Sequence, residues 1–173
     1  LTSITIPDSV TTIENNVFQS CKGLTSIDLP DGVQYIGDAA FRGCNLLKTI
    51  YLGTSLEYLG EGAFNGCTVL NDVVIPETVT TIQSAAFQNC KALTNISIPD
   101  SVSYIGSGAF SCFTSLSSVF IPDSVTSIGK SAFKGCSWLA EIDIPDSVTY
   151  MGSSAFGSCS SLETAKVGNG IKP

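Results

Sequence analysis

Apolar residues recur along this chain with a period of 23, without insertion or deletion. Leu1, Leu24, Leu47, Leu70, Leu93, Leu116, Leu139 and Leu162 open successive units, each reading close to L-x-x-I-x-I-P-D-x-V-x-x-I-G-x-x-A-F-x-x-C-x-x. The fourth and sixth positions alternate with polar neighbours, as Ile96 and Ile98 do in the fifth unit. That spacing predicts a short strand with one buried face. Proline follows in six of the seven complete units (Pro7, Pro30, Pro76, Pro99, Pro122, Pro145), and Gly53 replaces it in the third. Proline has no N–H to continue a ladder, so the strand stops there and a polar pair turns the chain. A second apolar pair, such as Val102 with Ile105, predicts a shorter second strand. Glycine commonly comes next (Gly37, Gly60, Gly106, Gly129, Gly152), which reads as a backbone position at φ > 0. The closing Ala-Phe-x-x-Cys segment is too short for a full helix and fits a single helical turn.

A period this short encloses no core within one unit, so units must stack to bury their apolar faces. The expected fold is a β-rich repeat solenoid, one array over residues 1–173 made of seven units and a partial unit from Leu162. Phe18, Phe41, Phe64, Phe87, Phe110, Phe133 and Phe156 share one position. At a spacing of about 4.8 Å their rings would form a continuous spine. The chain begins on a core Leu and stops mid-unit, so the reading takes it as a segment of a longer protein. Uncapped ends would each expose about seven apolar side chains, worth about 10–20 kcal/mol, which predicts end-to-end association.

The pattern resembles the BspA-type leucine-rich repeat, the 23-residue class of bacterial and protozoan surface proteins, over essentially the whole chain. The resemblance implies a right-handed superhelix with a parallel sheet of first strands on one face. It also implies a cell-surface or secreted protein that adheres to host matrix proteins or other microbes. Many leucine-rich repeats place Asn after the strand; here Ser9, Ser55, Thr78, Ser101, Ser124 and Ser147 stand there, with Gly32 and Gly170. A hydroxyl ladder satisfying backbone groups is the expectation for that row.

Composition narrows the functional classes. Net charge is −7 and the eight Lys and Arg form no run, so the cationic footprint of a nucleic-acid binder is missing. Apolar stretches are only a few residues long, far short of a membrane span. The chain contains no His, no Gly-rich phosphate loop and no G-x-S-x-G elbow. Its repeated carboxylates fall on turns, so no catalytic residues and no cofactor are assigned.

Four rows carry candidate chemistry. Cys21, Cys44, Cys67, Cys90, Cys136 and Cys159 share one position, with Phe113 in the fifth unit and Cys112 displaced by one. An odd count and a Phe in the row favour buried structural thiols over disulfides or zinc. Asp8, Asp31, Glu77, Asp100, Asp123 and Asp146 follow the prolines, where turn chemistry accounts for them better than calcium does. Tyr35, Tyr58, Tyr104 and Tyr150 share a site that small hydroxyl residues fill elsewhere, which suits a flank cover more than a stacking platform. Asn95-Ile96-Ser97 is a glycosylation triplet, relevant only in a eukaryotic secretory source.

The fourth row, the outward positions of the first strand, varies most. Tyr51, Val74 and Phe120 are apolar where no core demands it, flanked by Asp28, Asp72, Glu141 and Asp143. Exposed apolar residues on a sheet face mark partner sites, although such side chains also stabilise strands. These seven residues are the expected ligand-binding face of a non-catalytic module. The expected partner is a protein, extracellular-matrix proteins included, or a glycan. The alternative is a structural spacer without a ligand of its own.

Overall fold

The structure is a computed structural model that describes residues 2–171; Leu1, expected to open the first unit, lies outside the described residues. The chain forms a parallel-strand solenoid of about seven turns with no helix among the described residues. Its strands are β1 (Thr12–Ile13), β2 (Ser26–Asp28), β3 (Tyr35–Ile36), β4 (Thr49–Tyr51), β5 (Tyr58–Leu59) and β6 (Thr81–Ile82). They continue as β7 (Tyr104–Ile105), β8 (Ser127–Ile128), β9 (Glu141–Ile144), β10 (Tyr150–Met151) and β11 (Thr164–Val167).

The expected short second strands are present in all seven units and pair in register one period apart. They make a three-stranded sheet (β1-β3-β5) and a four-stranded one (β6-β7-β8-β10). The first strands pair only in part. β2 joins β4, a single bridge carries on from Thr49 to Asp72, and β9 joins β11. In the first segments of units five and six, Ile96, Ile98 and Ile121 point inward and are buried, yet no ladder links these segments. Side-chain packing holds that stretch. The more regular ladder therefore belongs to the second strands, not to the first-strand sheet that the family pattern implied.

The Ala-Phe-x-x-Cys segment departs from the expected helical turn. The amides of Ala39, Phe41 and Gly43 each donate to the next unit, to the carbonyls of Glu61, Ala63 and Asn65 at 2.8 Å. Those of Ala40, Arg42 and Cys44 instead reach back three residues. The result is a bent ribbon with its own inter-unit ladder. Two residues per unit take left-handed backbone conformations. One column runs Asn16, Ala39, Gly62, Ala85, Gly108, Ser131 and Ser154; the other runs Ser20, Gly43, Gly66, Asn89, Cys112, Gly135 and Ser158. Left-handed residues four apart are incompatible with a right-handed helix.

The glycine column has a different cause from the one expected. Gly37, Gly60, Gly106, Gly129 and Gly152 are not at positive φ. A Cβ at Gly60 would lie 2.4 Å from the Gly37 carbonyl carbon, and one at Gly106 2.5 Å from the Ser84 amide nitrogen. Glycine is needed there because adjacent backbones touch. Gln83 fills this column in unit four, and there the second-strand sheet breaks. Bonds equivalent to Ser103 N to Thr80 O (3.0 Å) and Gly106 N to Ile82 O (2.7 Å) are missing between units three and four.

Three further columns lock the stack. The Phe rings form the expected spine, with neighbouring centroids 5.1–5.9 Å apart and planes within 24°. The hydroxyl ladder forms over units four to seven, without Ser9 and Ser55: Ser101, Ser124 and Ser147 donate to the carbonyls of Val79, Val102 and Val125 at 2.6–2.8 Å, and Thr78 donates to Leu56. The thiols of Cys44, Cys67, Cys90, Cys136 and Cys159 donate to Phe carbonyls of the preceding unit at 3.0–3.4 Å. Phe113 fills the slot in unit five and meets Phe110 edge-on at 5.6 Å.

Candidate functional site

The face carrying the first strands follows from the alternation within each unit. In β4 the side chain of Ile50 points inward and is buried, so Thr49 and Tyr51 point out. Pairing in register places Asp28 beside Tyr51, and the bridge sets Thr49 beside Asp72. Asp28, Tyr51, Asp72 and Val74 accordingly line one groove of about 570 Å3 over units two to four, whose margin includes Gly53, Thr54 and Glu77. Val74 is 72% exposed and Tyr51 46% exposed. The other three expected residues gather further along the same face. Phe120, also 72% exposed, and Asp143 line a second groove of about 620 Å3. Glu141 and Asp143 border a smaller neighbour of about 340 Å3. The seven residues therefore form two patches separated by unit five.

The patches differ in charge. In the second, Lys166 Nζ lies 3.0 Å from Asp143 Oδ2, an exposed pair that partly cancels the carboxylate. In the first, three carboxylates (Asp28, Asp72, Glu77) line the groove and no Lys or Arg does. The Tyr51 hydroxyl donates to Asp31 Oδ1 at 2.6 Å, which fixes the ring over the groove. That hydrogen bond, foremost, raises the Tyr51 pKa, because the carboxylate stabilises the protonated phenol.

Unit three owes the groove margin to a local departure from the repeat. In the six Pro-bearing units the Val amide three residues on donates to the Pro carbonyl at 3.0–3.2 Å, closing a turn. Unit three has Gly53 at φ +72° and Thr54 in place of the usual Pro and acid, and it lacks that bond. A Cβ on Gly53 would fall 2.6 Å from the Pro30 carbonyl oxygen.

Elsewhere the candidate rows read as architecture. The Tyr35 and Tyr58 rings stack at 4.8 Å with planes 6° apart, half-buried on the second-strand flank. Burial first, then the Asp38 charge, raises the Tyr58 pKa. Burial raises three thiols of the column, Cys44 to about 11 and Cys67 and Cys90 further, so these three are inert protonated donors, whereas the hydrogen bond with Cys136 lowers Cys159 to about 7. Among the described residues no three metal-ligating side chains converge. Several exposed apolar residues escaped the sequence reading, Val17, Leu46 and Val167 among them, and the largest is Trp138, 68% exposed in the turn leading into unit seven. Its column (Gly23, Leu46, Val69, Ala92, Ser115, Trp138, Ser161) has no consensus from which an outlier stands out, and being the chain's one Trp was the available signal.

The model of the BspA type leucine-rich repeat region matches residues 1–91 and 67–173 in six copies. The chain belongs to that family. A leucine-rich repeat protein from Bacteroides ovatus superposes with a TM-score of 0.92 at 31% identity, over 98% of this chain and 46% of that one. The Treponema pallidum leucine-rich repeat protein gives 0.85 at 28% identity, over 93% of this chain and 78% of the other. A leucine-rich cell surface protein from Faecalibacterium prausnitzii gives 0.57 at 27% identity, over 96% and 60%. This BspA-type array thus spans just under half of the Bacteroides protein. No curated protein matches it.

Proposed function

We propose that this BspA-type array is a non-catalytic binding module of a cell-surface or secreted protein, which holds a protein or glycan partner on its first-strand face in adhesion or host contact. The observation that carries this reading is the convergence of Asp28, Tyr51, Asp72 and Val74 on one groove, with Phe120 exposed beyond it. Apolar side chains with no packing role, rimmed by polar ones, are the usual make-up of a contact site. The cell-surface naming of the Faecalibacterium protein supports the location. With no His in the chain and its repeated acids on turns, the sequence offers no acid–base pair for catalysis.

The test is a matrix-protein and glycan array screen with the intact chain, followed by the double variant Tyr51→Ala plus Phe120→Ala. Removing two central aromatic contacts weakens the captured partner about tenfold or more, while circular dichroism and melting stay unchanged. A screen that captures nothing, or a partner indifferent to the double variant, returns the array to the role of a spacer.

A further inference from the structure

Resting on that reading, we propose that the groove over units two to four receives a cationic side chain, arginine or lysine, from an extended segment of a protein partner. Tyr51 lines the groove on unit three, its ring fixed by the hydroxyl bond to Asp31. Asp28 stands beside it on unit two, while on unit four Asp72 lies one step along the same face, beside Thr49, and lines the same groove. A cation entering a groove lined by a tyrosine ring and these carboxylates gains from the ring quadrupole and from the charges. Val74 supplies an apolar wall for the alkyl stem of such a side chain.

The charge balance points to a cation from outside the chain. No Lys or Arg lines this groove, whereas Asp143 in the neighbouring groove already holds Lys166. The charge pattern selects a basic protein segment over a neutral or sulfated glycan, which would leave the carboxylates unpaired or repelled.

Three fluorescein-labelled hexapeptides serve as probes: alternating arginine and valine, citrulline and valine, and glutamate and valine. Their binding is read by fluorescence anisotropy against the intact chain. The arginine peptide binds; the citrulline peptide, which keeps the shape without the charge, binds about tenfold more weakly. Asp28→Asn plus Asp72→Asn weakens the arginine peptide about tenfold. Asp8→Asn plus Asp100→Asn alters net charge equally, away from the groove, and changes it less than about twofold. Raising salt to about 1 M, where screening acts within about 3 Å, also weakens it. No arginine-peptide binding, equal binding of citrulline, or equal weakening by both double variants overturns the proposal. A partner from the array screen lost with Tyr51→Ala plus Phe120→Ala but untouched by the Asp28 and Asp72 changes sinks the cation and leaves the binding face standing.

Discussion

Two glycine-to-alanine substitutions separate the two reasons a repeat needs glycine. At Gly106, a Cβ would sit 2.5 Å from the Ser84 amide nitrogen and 2.6 Å from the Gln83 carbonyl carbon. Both are backbone atoms, so the units must part. Parting removes the Gly106 to Ile82 and Ser103 to Thr80 hydrogen bonds, about 1 kcal/mol each. Strain against the close-packed column adds about 1–3 kcal/mol. Gly106→Ala therefore costs about 3–5 kcal/mol. Gly62 presents the opposite case: φ is +61° but the nearest atom to a Cβ is Asn65 Cβ at 3.7 Å. Alanine already occupies that column at Ala39 and Ala85, with φ of 53° and 54°. A left-handed alanine costs about 1–2 kcal/mol, and the stiffer unfolded chain returns about 0.4–1, leaving about 1 kcal/mol for Gly62→Ala. Urea unfolding of the two variants beside the parent measures the difference, with amide exchange at Ser103 and Gly106 reporting whether the ladder opens. Equal destabilisation, or a larger loss at Gly62, would refute the backbone-contact account of the column.

Two further outcomes follow from the same columns. Gln83→Gly closes the break between units three and four: two regained bonds at about 1 kcal/mol each outweigh the glycine entropy of about 0.5–1. The amides of residues 80 and 83 then exchange as slowly as those of Ser103 and Gly106, and unchanged fast exchange would show that something other than Gln83 holds the units apart. Cys44, Cys67 and Cys90 make stability fall in alkali. Cys44 keeps its proton up to about 11 in the folded state against an ordinary value of 9.0, so its contribution is complete below pH 9 and is lost as pH rises from there through about 11. Each such thiol adds up to about 1.4 kcal/mol per pH unit to the slope. Unfolding free energies across this range should fall less steeply in Cys44→Ala, and an identical slope would sink the assignment.

The sequence displayed whatever recurs with the period. Leu, Ile, Val, Phe and Cys occupy fixed columns because each must meet its own copy one unit away, so a core of buried columns was legible residue by residue. The hydroxyl row was legible for the same reason. What the repeat hid were distances between units. Nothing in the letters says that Gly60 touches the backbone at Gly37, so glycine was read as a dihedral requirement. The truly left-handed columns hold Ala, Ser, Asn and Cys more often than Gly, which disguised two tight bends as one helical turn. Of the candidate site, Asp28, Tyr51, Asp72 and Val74 were visible as outward residues that no core explains. Their convergence with Gly53, and the Tyr51 to Asp31 bond, required coordinates because the partners lie some twenty residues apart.

Architecture and recognition use different letters of the same repeat. Inward apolar side chains, the thiol, the hydroxyl and the contact glycine are each fixed by a neighbouring unit, so a change at any of them is paid in stability. The third and fifth positions bear no such duty, as the 72% exposure of Val74 and Phe120 demonstrates. Substitution there can alter what the surface binds without altering the fold that presents it. The units around the first groove relax the architectural rules as well. Unit three gives up its proline turn at Gly53, and unit four replaces the contact glycine with Gln83 on the opposite flank. Gly53 lies at the margin of the first groove, against unit two, and Gln83 at the seam between units three and four on the other flank. A surface that differs from one unit to the next is what lets an array with a uniform core present more than one face chemistry.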